Sequence, residues 1–227
     1  MFQVTPPTRL LFYFDYISNN AYLAWTQLAA LAANNDLEVE LRPVLFAGLL
    51  NAHGNVGPAE IPAKRNWMLK NILRKANQLG VPMAPPVHHP FNPLMALRAS
   101  IMDMGSQQRW QLVDGLFKAV WRDGLHLGEL DVVVRVARDA GLDEDAVLEW
   151  LQSPLAAAAL RECTQDAVNC GVFGVPTMIL GEELFFGYDD FPYIEQYLQG
   201  RDTLDVEQLA RWEAGQMAPS AVRTTRE

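Results

Sequence analysis

Two cysteines in 227 residues, Cys163 and Cys170, leave the chain without a disulfide framework. They stand seven apart in a stretch that reads as helix, where a rise of about 1.5 Å per residue separates their Cα atoms by about 10 Å. A bridge needs less than about 7 Å, so both read as small apolar core residues. Basic residues are scarce too: 18 Lys and Arg stand against 27 Asp and Glu, a formal charge of -9, with no basic cluster on any segment. Such a chain does not neutralise a phosphate backbone, and nucleic acid is not an expected partner. It contains no run of about 18 uncharged apolar residues to span a bilayer. Its start, MFQVTPPTRL, has no charged segment leading into an apolar stretch, so a cytoplasmic protein with no membrane partner is expected.

Other chemistries lack their parts as well. The histidines, His53, His88, His89 and His126, have no Cys or carboxylate at ligand spacing, and no metal is expected. Gly171, Gly174 and Gly187 fit neither phosphate-loop spacing, which argues against a nucleotide cofactor. A Ser-His-Asp hydrolase needs a histidine beside its serine, and none lies in the strand or helix next to Ser18.

What is present is an α/β pattern. RLLFYFD, residues 9 to 15, is a short aromatic-rich run between Pro6-Pro7 and the Ser18-Asn19-Asn20 cluster, and reads as a buried strand. Alanines and leucines from Ala21 to Ala33 predict a helix closed by Asn34 and Asn35. LEVELRPVL, residues 37 to 45, alternates and predicts a strand parallel to the first. Residues 46 to 63, rich in Gly and Pro, read as a long functional loop. From Lys64 to Val168 the periodicity is helical, with breaks at VPMAPPVHHPFNP, MGSQQ, DGLHLGELD and AGLDED. GVFGVPTMILGEELFFG then places two apolar runs around Gly181-Glu182-Glu183, a hairpin signal, before a last helix over 189 to 199. The tail from Arg201 offers one short amphipathic helix with Leu204, Leu209 and Trp212, and APSAVRTTRE is expected to be disordered.

The order βαβ, helical block, ββα is that of a thioredoxin-like fold with a large all-helical insertion. The expected division is a thioredoxin-like domain from 1–57 and 169–200, an inserted helical domain at 58–168, and a tail at 201–227. In redox-active members of such folds the first helix opens on Cys-x-x-Cys. Here Ser18 and Ala21 hold those slots, so thiol-disulfide exchange is excluded there. Ser and Asn are both preferred helix caps, so Ser18 taken alone reads as a cap; Asn19 or Asn20 can cap equally well, which frees Ser18 for another task. Pro176 reads as the proline that faces that helix start, where the Val175 backbone can take up an extended peptide by strand addition.

Four segments, FYFDYISNNAYLAW, GNVGPAEIPAKRNWMLKNI, HHPFNPLMALRA and GVFGVPTMILGEELFFGYDDF, together resemble the 2-hydroxychromene-2-carboxylate isomerases, relatives of the kappa-class glutathione transferases and of DsbA-like oxidases. The resemblance spans residues 10 to 198. It implies a glutathione-dependent cis-trans isomerase of an aromatic-degradation intermediate, acting by reversible thiolate addition, in which Ser18 faces the glutathione sulfur. By the same resemblance Asn55, Lys64, Val175, Pro176, Tyr188 and Asp189 hold glutathione, Asp189 lying near the glutamyl amine. Tyr188 replaces a serine of the kappa class, and Asn19-Asn20 replaces the usual Pro-Tyr after the serine. A homodimer is implied as well, although nothing in the residues demands one.

The chemistry suits those residues. Glutathione's thiol titrates near about 8.5 as a free cysteine does, and lowering it two units takes about 2.7 kcal/mol. A hydroxyl donating to the charged sulfur supplies about 1.5 to 3 kcal/mol, and the helix start about 0.3 to 1 more. Trp67, Phe91, Asn92 and Arg98 are candidate walls for a small aromatic carboxylate, with Arg98 available to its acid group, and equally candidate packing residues. Two other readings stay open: a kappa-like transferase that conjugates electrophiles, and a non-catalytic thiol- or peptide-binding module that has lost its redox cysteines.

Overall fold

The structure is a computed structural model, and it describes residues 8–214. A four-stranded sheet runs through it in the order β2-β1-β3-β4. β1 (Arg9–Phe14) and β2 (Glu38–Pro43) are parallel, joined across α1 (Asn19–Asn35). β3 (Thr177–Leu180) lies antiparallel to β1 with Phe12 opposite Met178, and turns through Gly181 into β4 (Glu183–Phe186). The crossover and the hairpin are those the sequence predicts.

Both faces of the sheet are covered because side chains alternate along β1. Leu10, Phe12 and Phe14 point to one face and are fully buried. They meet Trp25 of α1 and an aromatic cluster built on Phe117, whose ring centroid is 5.6 Å from that of Phe14 and 4.8 Å from that of Tyr16. Tyr13 points the other way, into a smaller cluster with Val44, Leu49, Val172, Val175 and Ile179.

Between β2 and β3 comes the helical block. The expected long loop of residues 46–63 is shorter than that: it contains α2 (Phe46–Ala52) and a 3-10 turn at Pro58–Glu60. The glycines hid this helix, whose only buried side chain is Leu49. α3 (Pro62–Leu79), α4 (Leu94–Ile101), α5 (Ser106–Trp121), α6 (Leu130–Asp139), α7 (Glu144–Gln152) and α8 (Pro154–Asn169) follow, with the four expected breaks and one more at Ser153, where Pro154 opens a new helix. α9 (Phe191–Leu198) closes the sheet after a 3-10 turn at Tyr188–Asp190. α10 (Val206–Ala214) is exposed along its whole length, and the segment expected to be disordered lies outside the described residues. The two cysteines are free; Cys163 is half-buried, but Cys170 is exposed rather than part of the core. Among the described residues no helix is long and apolar enough to cross a membrane.

Candidate active site

The end of β1 and the start of α1 form the floor of a cavity of about 850 Å³, a size suited to a small-molecule ligand. Ser18 sits there as the N-cap of α1, in extended conformation (φ -90°, ψ 114°). Its Oγ accepts from the Ala21 N–H at 3.1 Å and donates to the Val175 carbonyl at 3.1 Å. Ser18 is thus the cap, the reading its residue type favours when taken alone, and neither Asn19 nor Asn20 caps. The helix begins at Asn19, two residues earlier than its alanine pattern suggests, so the asparagines are already inside it and Asn19 is buried. Capping leaves the hydroxyl proton free to point outward, and it points at Val175.

Val175 enters from the other side of the sheet. Its peptide bond to Pro176 is cis, and Pro176 passes its own carbonyl to the Gly187 N–H at 2.9 Å. Among the described residues nothing accepts from the Val175 N–H, which leaves a backbone donor at the cavity wall for an extended ligand.

Directly beneath Ser18 lies Asp15, a carboxyl that the sequence reasoning passed over although it ends an otherwise apolar strand. It is fully buried. Oδ1 accepts from Ile17 N–H at 3.0 Å and Oδ2 from Phe46 N–H at 2.9 Å, so it ties the Ser18 turn to the start of α2. Burial pushes its pKa up to about 7, and the two backbone donors offset only part of that rise.

Asn55, Lys64, Trp67 and Phe91 also line the cavity. Asn55 Oδ1 holds the Val56 N–H at 2.9 Å. Lys64 is exposed at the rim on the first turn of α3, and Trp67 beside it is 63% exposed. Phe91 is buried in the floor.

The remaining expected residues lie elsewhere. Asp189 is paired to Lys75 at 2.5 Å, and neither it nor Tyr188 lines the cavity; Tyr188 packs on Phe191 instead, with ring centroids 5.3 Å apart. Asn92 turns its side chain back to the Leu94 N–H at 3.0 Å. Arg98 belongs to α4, behind the cavity floor, where its carbonyl accepts from Trp150 Nε1 at 2.7 Å and its Nε is buried without a partner. A break in the helical pattern shows where a loop lies, but not which side of the next helix faces the cavity.

Two aromatic residues that sequence reasoning missed form the opposite wall. Phe173 and Phe186 pack with centroids 4.8 Å apart, each about 40% exposed, and both face the cavity. The Phe186 ring lies so close over Gly174 that a Cβ there would meet it at 2.8 Å. The Gly174-Val175 step in the sequence was the available signal.

The residues present fit glutathione in part. A hydroxyl and a helix start suit its sulfur, the Val175 N–H suits its peptide, and Lys64 suits a carboxylate. Among the described residues no carboxylate free to meet its amine faces the cavity, since Asp15 and Glu60 are held by backbone N–H groups, Glu60 through Gly57 at 2.6 Å.

Residues 9–199 match the model of the DSBA-like thioredoxin domain. The 2-hydroxychromene-2-carboxylate isomerase of Sphingobium xenophagum is 31% identical over 189 residues, covering 82% of this chain and 96% of that protein. Glutathione S-transferase kappa 1 of Rattus norvegicus is 26% identical, covering 76% and 81%. A solved structure of 2-hydroxychromene-2-carboxylate isomerase superposes with a TM-score of 0.79 at 28% identity, covering 91% of this chain and 98% of the other. The chain belongs to the DSBA-like thioredoxin domain family and, within it, to the family of the 2-hydroxychromene-2-carboxylate isomerases.

Proposed function

We propose that the protein is a glutathione-dependent cis-trans isomerase of 2-hydroxychromene-2-carboxylate or a related aromatic-degradation intermediate. The observation that carries this reading is Ser18 at the α1 start, its hydroxyl proton directed across the cavity at Val175. Bound glutathione supplies a thiolate that adds reversibly to a conjugated double bond, so that the bond turns while it is single.

The chain's own contribution is electrostatic. The Ser18 hydroxyl, which gives its proton to a neutral carbonyl in the resting site, turns to a charged sulfur when one is present. The α1 N-terminus adds its partial positive charge. Lys64, Asn55 and the Val175 N–H hold the tripeptide along the rim and wall. Phe173 and Phe186 on one side and Trp67 and Phe91 on the other offer faces for an aromatic ring. The reading brings with it a homodimer, supported by the family likeness, and a cytoplasmic setting, supported by two free cysteines.

The test is to add glutathione to purified protein and follow the ultraviolet spectrum of the chromene acid. Isomerisation that depends on both protein and glutathione supports the reading, and no acceleration at any substrate concentration defeats it. The transferase alternative has its own support in the kappa-class relatives, and product formation with chlorodinitrobenzene in place of isomerisation would favour it.

A further inference from the structure

One titratable side chain in the cavity has no part in holding glutathione. His89 comes from the loop between α3 and α4 and reaches the carbonyl of Ile17, the residue before Ser18, at 3.0 Å. Sequence reasoning found no histidine near Ser18 because this one arrives from the helical block, 71 positions away in the chain. Trp121 fixes the ring from behind, with centroids 5.6 Å apart, and itself donates to the Tyr16 carbonyl at 2.8 Å.

The contact decides the tautomer. A backbone carbonyl can only accept, so His89 Nε2 carries a proton. Nδ1 is then the ring nitrogen left over, and among the described residues it has no partner. His89 lines the same cavity as Ser18.

Ser18 has a single hydroxyl proton, and if that proton serves a sulfur it is not available to the substrate. When the conjugated double bond opens, its electron pair moves to the substrate's carbonyl oxygen, and that oxygen needs a donor. Both oxygens of Asp15 are taken by backbone N–H groups, and Lys64 stands at the exposed rim. Glu60 Oε1 already accepts from the Gly57 N–H, and among the described residues His89 is the titratable group left on the inner wall.

We propose that His89 is the proton donor and acceptor of the isomerisation, giving a proton from Nδ1 to the substrate's carbonyl oxygen as negative charge collects there and taking it back when the double bond reforms. Electron pair and proton both return, so no oxidant, reductant or further reactant is consumed. The proposal rests on the isomerase reading above. Of the other charged or titratable groups, Asp15 just past β1, Glu60 in the 3-10 turn and Lys64 on α3 line the same cavity. Off its lining lie Tyr16, His88 beside His89 in the loop with His126 packed on it at 5.4 Å, and the Arg122–Asp123 pair that follows Trp121 in the chain.

The experiment separates a proton carrier from a tether. His89→Gln keeps an N–H for the Ile17 carbonyl and removes the titrating nitrogen, whereas His89→Ala removes both. In the wild type, loss of the donor proton makes kcat fall on the alkaline side, while thiol ionisation shapes the acid side. His89→Gln is expected to lower kcat at least tenfold, within the span of general acid-base effects, to lose the alkaline fall and to keep the acid limb and the melting temperature. Independently of activity, ¹⁵N spectra of the ligand-free protein should show one imidazole, missing in His89→Gln, whose Nδ1 titrates while its Nε2 stays protonated. Wild-type rates and an unchanged alkaline limb in His89→Gln overturn the proposal and leave the isomerase reading standing, as does an Nδ1–H tautomer. A wild type inactive with glutathione overturns both.

Discussion

Replacing Ser18 by alanine removes two hydrogen bonds at once, and the structure assigns each to a different measurable. The bond accepted from Ala21 N–H is a helix cap, worth about 1 kcal/mol of stability, or about 2 to 4 °C in melting temperature for a chain of this size. The bond donated to the Val175 carbonyl is, in the proposed function, where the hydroxyl proton rests before it turns to the sulfur. Moving that proton from a neutral carbonyl, about 0.5 to 1.5 kcal/mol, to a charged sulfur, about 1.5 to 3, gains about 1 to 1.5 kcal/mol. The thiol of bound glutathione should therefore titrate about one unit higher in Ser18→Ala, and the rate near pH 7 should fall about tenfold. Because the hydroxyl stabilises the thiolate, the loss is greatest at low pH and shrinks once pH exceeds the raised thiol pKa. Ser18→Gly separates the two effects: glycine caps almost as well but has no hydroxyl, so it should lose rate and retain most of the stability. The assay is the pH–rate profile of glutathione-dependent isomerisation beside thermal melts of both variants. An acid limb that stays in place in both would remove Ser18 from the chemistry and reduce it to a cap.

Three further outcomes are expected. Asp15 has a folded pKa raised to about 7 from the model-peptide region near 4, so the folded chain holds its proton where the unfolded chain has lost it. Its contribution to stability should fall by a few kcal/mol as pH rises from about 4 to about 7 and then level off; denaturant unfolding should show that slope in the difference between wild type and Asp15→Asn, and a flat difference contradicts it. Gly174→Ala should drive the Phe186 ring off the cavity wall, and Phe186→Ala should remove it. Both should raise KM for the aromatic acid about two- to tenfold, at about 0.5 to 1.5 kcal/mol per aromatic contact, with glutathione affinity unchanged by calorimetry. Lys64→Ala should weaken glutathione binding several-fold at low salt and much less at high salt, because an exposed cation acts through a screened field; equal weakening at both would assign the loss to packing.

By itself the sequence determined most of the order of elements and placed a serine, not a thiol, at the start of the first helix. The apolar run at Arg9–Phe14, the alternating one at Glu38–Pro43, the alanine-rich helix between them and the Gly181 turn are local properties, and each formed within a residue or two of where its residues put it. A serine where relatives of the fold carry a thiol is likewise legible in one dimension, as is the proline that follows Val175. Local patterns are weakest at edges, where Ser18, Asn19 and Asn20 were all able to cap, and α2 was hidden among glycines. Only the tertiary structure decided which distant groups meet. It brought His89 to the Ile17 carbonyl, buried Asp15 beneath the turn, set Phe173 and Phe186 across from Trp67, turned Asn92 and Asp189 to other partners and left the Arg98 Nε buried without one. The physical reason is that a cavity wall is made of single faces of elements far apart in the chain. Which face turns inward is set by packing around Phe117 and the sheet, and no stretch of sequence carries that alone.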